Sequence, residues 1–172
     1  MMKRMICAVV LALSATSCGY TLVGRGNFLP PEVKTIQVPS FVNRTTRVEL
    51  EQRVTQAISE EMVSRGRLQL VSSASDADVI LKGSIETFAI VPVALNAERR
   101  ATQYQISITA RIELLDHRAE DKVLWKNDQY YFTENYPINV DATDAFDQES
   151  RAIREIAERF AEGVVANLLE GF

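Results

Sequence analysis

Few residues in this chain could carry out chemistry, and their spacing argues against most of it. The single histidine, His117, sits in "DHRAED", a run polar enough to be a turn. A Ser, Cys or Thr nucleophile needs an imidazole held beside it or, less commonly, a lysine. A lone turn histidine is far more often a solvated surface residue than a general base. Metal centres want clustered His, Cys and carboxylates, whereas here the acids are scattered. Asp141, Asp144 and Asp147 step by three, which suits solvated charges at a helix start, where acids complement the positive end of the dipole. "GRG" (Gly24 to Gly26) is too short for a phosphate loop. The expectation is a protein that is not an enzyme, with no metal and no cofactor.

The two cysteines are better explained by an address than by a reaction. Lys3 and Arg4 give a basic start, Met5 to Leu13 is apolar, and Ser14 to Ser17 are small. These are the parts of a secretory signal peptide over residues 1–17, and the apolar run is about half the roughly 20 residues that span a bilayer. Cys18 follows directly, and "SATSC" resembles a bacterial lipobox, with alanine where leucine is usual. The resemblance implies acylation of Cys18 by a diacylglyceryl group and an amide-linked chain such as palmitate. One chain binds a membrane only marginally, whereas two or more hold stably. Plain secretion with an incidental cysteine ranks below this, since nothing else in the chain explains Cys18. Cys7 leaves with the signal, so no internal disulfide can form. Gly19, rather than aspartate, follows the cysteine, which by resemblance to lipoproteins of Gram-negative bacteria favours the outer membrane.

The formal charge of −4 becomes two units more negative once Lys3 and Arg4 are removed. A mildly acidic domain lacks the basic footprint of a nucleic-acid binder. Two local features remain. Arg99 and Arg100 stand together in "NAERRATQYQ", the turn before the best strand. Paired arginines can grip phosphate bidentately, although an ordinary solvated turn carries more weight on these residues alone. The polar face of that strand presents Gln103, Gln105, Ser107 and Thr109 before any charge appears. Such a face suits contact with another polar surface, for instance the interior of a membrane barrel. The ordinary strand preference of Ser and Thr explains it equally well.

These features must be positioned by the fold. Residues 18–33 read as a tether, extended at Pro30-Pro31. "VKTIQVPSF" is a short strand limited by Pro39. Thr46 and Glu49 fit a capping box ahead of Leu50, Val54, Ala57, Ile58 and Met62 at helical spacing, with Gly66 as C-cap. "RLQLV" is a strand candidate, and "VILKGSIETFAIVPVAL" is β-rich, with Gly83 and Pro92 expected at a bulge and an end. From Tyr104 to Leu114 apolar and polar residues alternate strictly, so one face is buried. "KVLWKNDQYYFTENY" returns as another strand, and Phe146, Ile153, Ile156, Ala157, Phe160, Val164 and Leu168 form the stripe of a closing helix. The order implies a two-layer α+β sandwich, two helices on one face of a mainly antiparallel sheet, as a single domain over residues 34–172.

"CGYTL", "LPPEVKTIQVPSFVNRT", "DADVILKGSI", "ATQYQISI", "KVLWKN" and "LLEGF" occur in order over almost all of Cys18 to Phe172. Together they resemble the lipopolysaccharide-assembly lipoprotein family LptE. The resemblance implies an outer-membrane lipoprotein with helices packed on a four-stranded sheet. Such a protein plugs the LptD β-barrel translocon from within, supports its assembly, and helps lipopolysaccharide reach the outer leaflet. It also implies lipopolysaccharide binding through basic loop residues, for which Arg99 and Arg100 lie in a comparable loop. The alternative is a periplasm-facing outer-membrane lipoprotein that binds and activates a peptidoglycan synthase. Those proteins have long tethers, whereas about fifteen residues here reach at most roughly 50 Å, which favours a partner at the membrane.

Overall fold

A computed structural model of the protein describes residues 29–137 and 145–170, with side chains from residue 149 in the latter segment. The expected signal peptide, Cys18, most of the expected tether, Asp141 and Asp144, and the side chains of Phe146 and Asp147 lie outside the described residues. The elements are β1 (Thr35–Gln37), β2 (Val42–Asn43), α1 (Leu50–Arg65), β3 (Gln69–Leu70), β4 (Val79–Leu95), β5 (Ala101–Asp116), β6 (Lys122–Pro137) and α2 (Ala145–Glu170).

The α+β expectation holds, but the sheet is larger and less uniform than four antiparallel strands. It has six strands in the order β3-β1-β4-β5-β6, with β2 also on β4. β4, β5 and β6 are long and antiparallel, whereas β1 pairs parallel with both β3 and β4, and β2 pairs parallel with β4. Parallel neighbours need a crossover, and α1 supplies it between β1 and β3. Strands of two or three residues are too short to show a period, which is why the sequence pattern understates them.

One face of the sheet carries the core. Ile106, Ile108, Ala110, Ile112 and Leu114 of β5 are buried with Leu50, Val54, Ile58 and Met62 of α1 and with Ile156, Phe160, Val164 and Leu168 of α2. Leu29 and Val33 join the same cluster. Phe160 meets the edges of Tyr130 and Phe132 at centroid distances of 5.4 and 5.9 Å, a geometry worth about 0.5–1.5 kcal/mol per pair beyond area burial. Arg47 pairs with Glu149 at one end of the helix layer, and Arg67 donates to the Leu169 carbonyl at the other. The two helices therefore run parallel, with both N-termini towards the turn between β4 and β5.

Two local readings are corrected. The helix does not start at a Thr46 capping box. It begins at Leu50, and Glu49 is the N-cap with φ 64° and no side-chain cap bond. Asn43 organises the preceding loop instead: its Oδ1 accepts from the Thr45 amide, and its Nδ2 donates to the Arg47 carbonyl at 2.6 Å and to Glu51 Oε2 at 2.8 Å. The loop before the helix is thus held by a side chain outside the apparent motif, and the left-handed Glu49 moves the helix start past it. Gly83 likewise marks no bulge. The register of β4 slips after Ile85, and the strand runs through Pro92 to Leu95. Gly83 is small because the buried ring of Phe41 lies where its Cβ would stand. Gly66, by contrast, caps α1 in the left-handed region as expected, at φ 63°.

Candidate binding surface

The helices cover one sheet face and leave the other open. Register fixes which side chains share that open face, because residues directly opposite each other point the same way. Near the β5–β6 turn the face is charged. Lys82 lies opposite Glu113, which lies opposite Lys126. Lys126 reaches Glu113 at 3.3 Å and Asp128 at 3.1 Å, and Arg111 reaches Asp128 at 3.4 Å. Beyond the β4 bulge the charges stop. Successive cross-strand rows are Thr87, Thr109 and Tyr131; then Ala89, Ser107 and Thr133; then Val91, Gln105 and Asn135; then Ala94, Gln103 and Pro137. None of these twelve residues is Asp, Glu, Lys, Arg or His. Gln105 donates to Asn135 at 3.1 Å, while Tyr131 is 62% exposed. Glu86, at the bulge, is occupied by Ser84 and Arg44.

The uncharged face read from β5 alone is therefore the middle of a strip three strands wide. The flanking residues of β4 and β6 were missed because membership depends on register, which a single strand does not reveal.

Arg99 and Arg100 are exposed in the turn that joins β4 to β5. Asn96 shapes that turn: its carbonyl accepts from the Arg99 amide and its Oδ1 from the Arg100 amide, at 3.0 and 2.8 Å. Arg99 takes φ 60° to close it. The pair thus sits at the far end of the uncharged strip. β4 has 17 residues, so at about 3.3 Å per residue this tip is roughly 55 Å from the end of the sheet where β1 enters.

That other end is a clasp. Asp78 Oδ2 accepts from the Lys34 and Thr35 amides at 2.8 and 3.0 Å, and the Asp78 amide donates to Thr35 Oγ1. Buried Asp116 receives Arg118 bidentately, with both contacts at 3.0 Å. The amides of Lys34 and then Thr35 hold the Asp78 carboxyl below the usual carboxylate range, and the Arg118 guanidinium does the same for Asp116. His117 contacts Asp121 at 2.8 Å in the adjoining turn, 39% exposed. The cluster ties the first strand to the hairpin and has the geometry of a structural fastening. Among the described residues no group of three or more His, Cys, Asp or Glu could hold a metal ion, and no helix is long and apolar enough to cross a membrane.

Fold and surface together define a helix-backed sheet module that presents one open face. Residues 33–168 match the family described as LptE, lipopolysaccharide-assembly, and the chain belongs to that family. No curated protein matches the chain. Several solved structures share the fold. The uncharacterized lipoprotein B of Nitrosomonas europaea superposes with TM-score 0.56 at 12% identity, over 88% of this chain and 90% of that one. A hypothetical protein of Chlamydia trachomatis gives 0.55 at 16% identity, over 81% and 97%. A Xanthomonas campestris protein gives 0.57 at 13%, over 86% and 90%.

Proposed function

We propose that this member of the lipopolysaccharide-assembly family is an outer-membrane lipoprotein, acylated at Cys18, that plugs an LptD-like β-barrel and helps pass lipopolysaccharide to the outer leaflet. In this reading it is not an enzyme. The observation that carries the proposal is the uncharged strip across β4, β5 and β6. A sheet face left to water ordinarily carries Lys and Glu, as the other half of this same face does. A face that meets the polar lumen of a barrel needs hydrogen-bonding groups but pays a desolvation cost for every unpaired charge. Gln, Asn, Ser and Thr meet both demands. Arg99 and Arg100 at the tip suit the phosphates of lipopolysaccharide, since guanidinium groups bind phosphate through two parallel hydrogen bonds. The lipid at Cys18 would hold the opposite end of the chain at the inner leaflet.

The test is purification of the mature lipidated protein in detergent with whatever it binds. Recovery of an outer-membrane β-barrel in a stable complex is the expected result. A cell-wall synthase in its place would replace the plug with peptidoglycan-synthase activation. An intact mass showing an unmodified first residue would remove the anchor.

A further inference from the structure

The two long edges of the sheet are treated differently. β6, the edge on one side, carries Lys122, Lys126 and Asp128 in the charged half and Glu134 beside the strip. On the other side β1 and then β2 cover β4 only as far as Ile85, where the Arg44 amide makes the last hydrogen bond to it. From Thr87 to Leu95 no strand among the described residues pairs with that side of β4. This stretch is nine consecutive residues without a charge, and Val91, Val93 and Leu95 are 46%, 46% and 60% exposed. Between the register slips after Ile85 and after Pro92, Thr87 to Val91 is regular strand.

A bare edge is a template for another strand, and soluble proteins blunt such edges with charge, proline or bulges. Here Pro92 and the second slip blunt only the last few residues. The five before them keep unbroken register with β5, four apolar side chains after Thr87 and, among the described residues, no strand on their other side. We infer that Thr87–Val91 is a docking edge that takes an extended, uncharged segment of the barrel partner as an added strand. The occupant follows from continuity and charge. Thr87, Ala89 and Val91 belong both to this edge and to the strip assigned to the barrel, and nothing in either offers a charged segment a counterion. Main-chain hydrogen bonds would supply affinity and alternate side chains the selectivity. This inference rests on the plug reading.

The experiment places the photoreactive residue p-benzoylphenylalanine at Thr87, Ala89 or Val91 in the full lipidated chain, co-expressed with its barrel, with Ser107 as a control in the middle of the strip. Captured residues are mapped by mass spectrometry. Amide hydrogen exchange over β4 is compared between the free chain and the complex. The expected result is capture from the three edge positions at partner residues two apart along one segment, with edge amides exchanging at least about tenfold more slowly in the complex. Capture of the barrel from Ser107 alone, or scattered capture from the edge without amide protection, overturns the added strand and leaves the plug standing. Capture of a second copy, or of this chain's own amino-terminal segment, overturns it by naming another occupant. Absence of barrel capture from every position overturns both readings.

Discussion

The open face of the sheet is two surfaces made by the same three strands. In the half near the β5–β6 turn, opposite charges alternate across Lys82, Glu113, Lys126, Asp128 and Arg111. In the half near the β4–β5 turn there are four rows without a charge. Both halves are β-structure interrupted by register slips, so the contrast lies in their side chains. The charged half carries what a water-facing sheet carries, while the uncharged half has the composition that the proposed barrel contact requires.

Ser107→Lys should expose the contrast with the largest effect. It sets a charge at the centre of the strip, flanked by Ala89 and Thr133. An unpaired charge buried at an interface costs about 2–5 kcal/mol, so association with the barrel should weaken at least about thirtyfold in a detergent pull-down titration. Thermal unfolding of the isolated domain should shift little, since surface changes usually stay within about 0.5 kcal/mol. Full association would show that the strip touches nothing.

Asp78→Ala should do the reverse, costing about 2–3 kcal/mol of stability, because hydrogen bonds to an ionised group contribute about 1.5–3 kcal/mol each and two amides lose their acceptor. Barrel association of the folded fraction should not change. The pH dependence has a definite sign. Asp78 and Asp116 have carboxyls depressed in the folded state. Their contribution is present above the unfolded carboxylate pKa, about 3.9, and is lost as pH falls through the lower folded values. Acid unfolding followed by circular dichroism should lose part of its steepness in Asp116→Asn, and an unchanged profile would remove Asp116 from the clasp.

Arg99→Glu with Arg100→Glu probes the tip, where the charge is positive and solvated. Lipopolysaccharide affinity should fall about tenfold, or about 1.4 kcal/mol, with barrel association intact. Unchanged affinity in a binding titration would take both arginines out of any site.

The sequence shows long-period features well and register-dependent ones poorly. The β5 alternation and the α1 and α2 stripes were legible because each repeats over a dozen residues or more, and Gly66 because only one residue type sits easily at its φ. The short strands Thr35–Gln37 and Gln69–Leu70 were legible as candidates, but their parallel pairing was not, because partners distant in sequence leave no local pattern. The Thr46 motif misled because Asn43, three residues earlier, organises the loop and the left-handed Glu49 delays the helix start to Leu50. Gly83 misled because its cause, Phe41, is distant in sequence. Of the candidate surface, the β5 residues could be read directly. Their β4 and β6 neighbours, and the clasp that joins Asp78 to Thr35 across forty-three positions, exist only once the chain has folded.

The smallest effect is expected where the face is most ornate. Lys126 takes part in two ion pairs, at 3.3 and 3.1 Å, yet its side chain is 42% exposed. Exposed pairs contribute about 0–1 kcal/mol, since side-chain entropy and solvent screening offset most of the attraction. Lys126→Ala should therefore move the unfolding midpoint by no more than about 4 °C, given roughly 2–4 °C per kcal/mol for a domain of this size, and leave barrel association untouched. If it weakened association as much as Ser107→Lys, the contact would extend over both halves of the face. The absence of charge near the tip would then reflect composition rather than a boundary between wet and covered surface.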